Sequence, residues 1–124
     1  MLTFKKLVPI IYVKDLDAEV KFYETFGFQI SYQGDEFPNF IAIAQGDLEF
    51  GIERKDTFNA DEANRSILWQ FQVDDLSEAV RICQRSSYKY TPPEKYWEAA
   101  DGWEMQVWSP NGYTINLEGH KPGG

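Results

Sequence analysis

The sequence has one cysteine and one histidine in 124 residues. A single cysteine, Cys83, excludes an internal disulfide framework and a cysteine-based zinc cluster. A single histidine, His120, excludes a site built on two imidazoles of one chain. Basic residues are also in deficit: 12 Lys and Arg stand against 20 Asp and Glu, for a net charge of -8. That balance argues against nucleic acid and anionic membranes, whose affinity comes from Lys and Arg. It suits solubility, and it suits a cationic ligand. No apolar run approaches the roughly 20 residues that span a bilayer. The opening Met1–Lys6 lacks a signal-peptide h-region, so a cytoplasmic protein is expected. Catalytic triads and phosphate-binding glycine loops are absent from the motifs.

What is present is an internal repeat. Residues 7–30 overlay on 67–90 at an offset of 60, placing Val13-Lys14-Asp15-Leu16 on Val73-Asp74-Asp75-Leu76. Each copy opens with a β-branched and aromatic run, 7–13 and 67–73, predicted as a strand. Asp15 and Asp75 follow as predicted helix N-caps, and Glu78 gives the second a capping-box spacing. Leu16, Val20 and Tyr23, widened by Phe22 and Phe26, form one apolar helical stripe, which Leu76, Val80 and Cys83 repeat. Cys83 is thus expected in the core rather than as a reactive thiol, and Gly27 is expected just past the first helix.

Turn signals then divide the rest of each copy. Gly34-Asp35 and Gly46-Asp47 separate strands at 29–33, 40–45 and 48–53. Ser109-Pro110-Asn111-Gly112 separates 103–108 from 113–118. The expected architecture is α+β: one domain over 1–124, with two βαβββ units at about 4–54 and 66–118 and a polar linker over 55–65. Neither unit is long enough to bury a helix and a sheet face comfortably alone.

These pieces resemble a known family. Val8-Pro9-Ile10-Ile11-Tyr12-Val13-Lys14-Asp15-Leu16, Phe22-Tyr23 leading to Phe26-Gly27-Phe28, Phe71-Gln72-Val73-Asp74-Asp75-Leu76 and Ser109-Pro110-Asn111-Gly112-Tyr113 are similar, in order and spacing, to the glyoxalase/bleomycin resistance/extradiol dioxygenase superfamily, the vicinal oxygen chelate proteins. Ser109 and Tyr113 depart from its usual Asp-Pro-Asp-Gly-Asn turn. The resemblance implies paired βαβββ units whose sheets curl around a cleft. It also implies a divalent metal in the enzymes, held near the unit starts and on the last strands. Those positions hold Val8, Glu49, Leu68 and Asn116. One carboxylate and one amide do not hold a catalytic metal. No metal and no cofactor are therefore expected.

Members without the ligands include the bleomycin resistance proteins, which bind a large cationic antibiotic in clefts of a dimer. The resemblance thus implies a non-catalytic homodimer that sequesters a cationic or polar aromatic small molecule, with an N-terminal arm ahead of Pro9 that crosses between subunits. Strand parity predicts Glu49, Gly51 and Glu53, Leu68, Gln70 and Gln72, and Thr114, Asn116 and Glu118 on the cleft side. Six aromatics fall between Tyr88 and Trp108, and Tyr96 and Trp97 are expected on a loop. Phe37, Trp97 and Trp103 are the candidate apolar walls; Glu49, Gln70, Glu104, Asn116 and Glu118 are the candidate polar contacts. The competing reading is a glyoxalase-like lyase or isomerase, with Glu49 or Glu104 as base and any metal completed in a dimer. A third is a copy of the fold that binds an unrelated metabolite.

Overall fold

Both predicted N-caps form. In this computed structural model, which describes residues 1–65, 67–97 and 101–123, the Asp15 carboxylate accepts the Ala18 N–H and that of Asp75 accepts the Glu78 N–H. Each satisfies an orphan donor at a helix start. The helices that follow are α1 (Leu16–Thr25) and α2 (Leu76–Ser86). The Glu78 side chain does not close a capping box; it pairs with Arg81 and Arg85.

The chain divides into two compact units, Met1–Phe58 and Asn59–Gly124. In the first, β1 (Ile10–Val13), β2 (Gln29–Tyr32), β3 (Phe40–Gln45) and β4 (Leu48–Arg54) form one sheet in the order β1-β4-β3-β2. β1 runs parallel to β4 and the other pairs are antiparallel. The helix α1 packs on β2, β3 and β4. Its buried face is Leu16, Glu19, Val20, Phe22 and Tyr23. Tyr23 meets Phe50 and Phe28 edge to face, at ring separations of 4.9 and 5.7 Å, the arrangement that aromatic quadrupoles favour. Glu19 is fully buried on this face, a position that the apolar pattern alone does not reveal. Residues 1–8 are exposed and carry no regular structure, so the first strand begins three residues later than predicted.

The second unit repeats this plan. Its strands β5 (Trp69–Gln72), β6 (Glu94–Trp97), β7 (Gly102–Trp108) and β8 (Thr114–Gly119) are ordered β5-β8-β7-β6, with β5 parallel to β8. The helix α2 packs on β7 and β8 and buries Leu76, Ala79, Ile82 and Cys83; Val80, expected on the stripe, is half-buried. At the β7–β8 turn, the Ser109 hydroxyl accepts the Tyr113 N–H and the Ser109 carbonyl accepts that of Gly112. The stretch read as a linker has structure of its own. Ala60–Glu62 form a 3-10 turn, and the Asn64 side chain donates to the Gly112 carbonyl and accepts the Thr114 N–H.

One expectation is overturned here. Tyr96 and Trp97 do not sit on a loop: they belong to β6, an edge strand that pairs with β7 and carries a bulge between Lys95 and Trp97. A bulge breaks the two-residue alternation by which a strand is read. Pro92 and Pro93, just ahead of it, read as loop for the same strand.

Candidate functional site

Each sheet has one face covered by its helix and one open face. In the first unit the cross-strand rungs place Ile10, Tyr12, Phe40, Ala42, Glu49, Gly51 and Glu53 on the open side. The middle of this face is a shelf of small residues: Gly51 lies opposite Ala42 and beneath the Phe40 ring. A Cβ on Gly51 would stand 2.7 Å from the Phe40 Cζ, so only glycine lets the ring lie there. Tyr32 approaches both Phe40 and Phe37, at ring separations of 6.1 and 6.5 Å. Phe37 itself is 58% exposed. At one end of the shelf Glu49 accepts hydrogen bonds from the Lys6 ammonium and the Ser31 hydroxyl. Those bonds, Lys6 first, hold its carboxyl below the usual carboxylate range.

The second unit's open face is polar. One rung runs Gln106, Asn116, Gln70; the next runs Glu94, Glu104, Glu118, Gln72. The Gln70 and Gln72 amides donate to the two oxygens of Glu118, at 3.1 and 3.3 Å. The Tyr96 hydroxyl lies toward the same carboxylate. Desolvation first, then the neighbouring Glu118 carboxylate and the charge of Glu104, hold the phenol above its ordinary pKa. Trp108 shares this face, opposite Thr114, with the Lys89 ammonium 4.7 Å from its ring center.

Solved structures share this fold. A bleomycin resistance determinant encoded on the transposon Tn5 superposes with a TM-score of 0.74 at 19% identity, over 95% of this chain and 99% of its own. A bleomycin-binding protein complexed with bleomycin superposes at 0.72 and 20% identity, over 95% and 100%. A glyoxylase/bleomycin resistance protein/dioxygenase domain from Frankia sp. EAN1pec gives 0.72 and 16%, over 98% and 100%. The chain has the vicinal oxygen chelate fold. No family model matches the sequence, and no curated protein is matched by it.

Enzymes of the vicinal oxygen chelate fold imply a metal, and the donor set here does not fit one. Val8 and Leu68 are exposed apolar residues. Glu49 is already bonded to Lys6 and Ser31, and Asn116 offers only a neutral amide. Among the described residues, no three His, Cys, Asp or Glu side chains come together as metal ligands.

Strand parity predicts Glu49, Gln70, Asn116 and Glu118 on the sides of their strands that the registers also give them. Gln70, Glu104, Asn116 and Glu118 share the open face of the second unit, and Glu49 lies on that of the first. Trp103 does not belong with them. It alternates with Glu104 and shares its face with buried Met105 and Val107, the face on which α2 packs. It is therefore a helix-side residue and not a wall of the open face. The Trp97 side chain lies outside what is described. Lys6 and Ser31 were missed because they reach Glu49 through contacts distant in sequence, and Tyr32 because it sits just past the β2 irregularity. Tyr96 is expected on a loop; in β6 its ring instead packs against Gly102.

Proposed function

We propose that this protein binds a cationic or polar aromatic small molecule, of the kind exemplified by a bleomycin-type antibiotic, and sequesters it unchanged as a homodimer. The observation that carries this reading is the chemistry of the two open faces. One offers an aromatic cluster of the exposed Tyr32 and Phe37 and the half-buried Phe40. The other offers amides and carboxylates: Gln70, Gln72, Glu104, Asn116 and Glu118. Stacking and charge attraction suit a flat group attached to a cation. The bleomycin-binding protein of the same fold supports the choice of ligand class.

The test is a titration with bleomycin, followed by intrinsic fluorescence and calorimetry, with Trp108 on the open face as a reporter. The expected result is saturable, stoichiometric quenching without added metal, weakened about tenfold by Phe37→Ala. Sedimentation should give twice the 14.4 kDa chain mass. Absence of any signal at high micromolar bleomycin abandons the antibiotic; a sedimenting monomer abandons the dimer.

A further inference from the structure

The second unit contains a cavity of about 390 Å³ where β5 and β8 end, lined among others by Gln72, Val73, Tyr96, Gly102, Glu118 and His120. Its walls differ in kind. Val73, Gly102 and the Tyr96 ring present little polarity. Gly102 is what brings the ring in: a Cβ there would lie 2.9 Å from Tyr96 ring carbons. The Tyr96 hydroxyl lies toward Glu118, and the residue is 46% exposed. An aromatic ring is thus held in a fixed place at the wall of a half-open space.

Glu118 is the polar floor. It receives two neutral donors, the Gln70 and Gln72 amides, which orient the carboxylate without cancelling its charge. Among the described residues, no Lys, Arg or His forms an ion pair with Glu118, Glu104 or Glu94. Their rung places the three carboxylates directly opposite one another across the sheet, an unfavourable arrangement for like charges. Such a rung is not a site by itself. Here it ends in a cavity with an aromatic wall. At the rim, Asp101 stands 3.6 Å from the His120 ring and accepts the Lys121 N–H. A carboxylate beside an aromatic ring and apolar walls recognises an organic cation.

We infer that this cavity takes the head of a protonated alkylamine, its ammonium on Glu118 beside the Tyr96 ring and its apolar stem against Val73 and Gly102. This deepens the function proposed above, on which it rests, by locating the ligand's cationic end.

Backbone amide NMR of the whole protein tests it, with 2-phenylethylammonium chloride as the probe and 2-phenylethanol as its neutral match. The amine should shift the amides of Gln72, Val73, Gly102 and Gly119 saturably, and the alcohol should bind at least tenfold more weakly. Glu118→Gln should weaken amine binding at least tenfold, and Tyr96→Leu about threefold. Glu24→Gln, which removes the same charge from α1, should leave it unchanged. Undisturbed spectra of the free variants establish that they fold. Equal affinity for the alcohol, or an unaffected Glu118→Gln, overturns the inference. If bleomycin binds while the amine leaves these amides unmoved, this inference falls and the proposed function stands. If the amine binds here and bleomycin does not bind at all, the cavity assignment stands and the antibiotic reading falls.

Discussion

Glu49 and Cys83 show how differently two titratable side chains are set by their surroundings. Lys6 and Ser31 lower the Glu49 pKa in the folded protein. A lowered carboxyl pKa adds stability that is complete above the unfolded value, near 4.3 for glutamate, and is lost as pH falls through the folded value. The stability difference between the protein and Glu49→Gln should therefore be level from pH 7 down to about 5, begin to fall near the unfolded value and vanish only below the lowered folded value. Urea titrations across that range measure it, and since Lys6 is well exposed the plateau should be small and salt-sensitive. Cys83 moves the other way. Burial raises its thiol to about 11, so about one molecule in a thousand carries thiolate at pH 8. A thiol reagent should label it only at the rate of unfolding, and labelling in seconds in native buffer would contradict that. Both outcomes were unequally visible in advance. The Cys83 helical stripe is local and legible; the Lys6–Glu49 contact joins residues 43 apart, with no periodicity to announce it.

At the scale of the element, the two helices end differently. Gly27 follows α1 with φ of +98°, whereas α2 is capped by Ser87 at φ of +62°. A side chain in that left-handed region costs about 1–2 kcal/mol, part of which glycine returns through greater freedom in the unfolded chain. Ser87→Gly should stabilise the protein by about 0.5 kcal/mol, a rise of roughly 2 °C in Tm by calorimetry. The β3–β4 pair depends on a glycine for another reason. Gly51→Ala would put a Cβ within 2.7 Å of the Phe40 Cζ and 3.2 Å of the Ile10 Cγ1. The ring must leave, at a cost of about 1–3 kcal/mol, and near-ultraviolet circular dichroism should change with it. Caps and regular alternation made α1, α2, β4 and β8 legible, because each rests on hydrogen bonds or side-chain directions set within a few residues. The β6 bulge was not, since an inserted residue leaves no mark in composition. Trp103 is a different lesson. Glu104 is its neighbour on one strand, so alternation alone forbids both from lining the same face.

For the whole molecule, the charge of -8 acts at a distance that single contacts do not. If the ligand is a cation, the long-range field should speed its arrival. Stopped-flow association of bleomycin should slow severalfold between 20 and 300 mM salt, while dissociation changes less. A salt-independent association rate would confine the role of the acidity to solubility. Among the described residues no helix is long and apolar enough to cross a membrane. The two units have the same strand order and the same parallel closing pair, yet one open face is aromatic and the other acidic. The repeat was legible because it fixes the backbone plan. The divergence of the faces was legible only in part, because it rests on which residues meet across strands.

The bulges in β2 and β6 occupy matching places, between Ile30 and Tyr32 and between Lys95 and Trp97. Both strands lie at the outer edge of their sheets, where unpaired backbone groups could template a further strand from another chain. A bulge kinks and twists such an edge out of the flat geometry that templating needs. The irregularity that hid β6 from pattern reading thus doubles as a guard against aggregation, repeated once in each half of the chain.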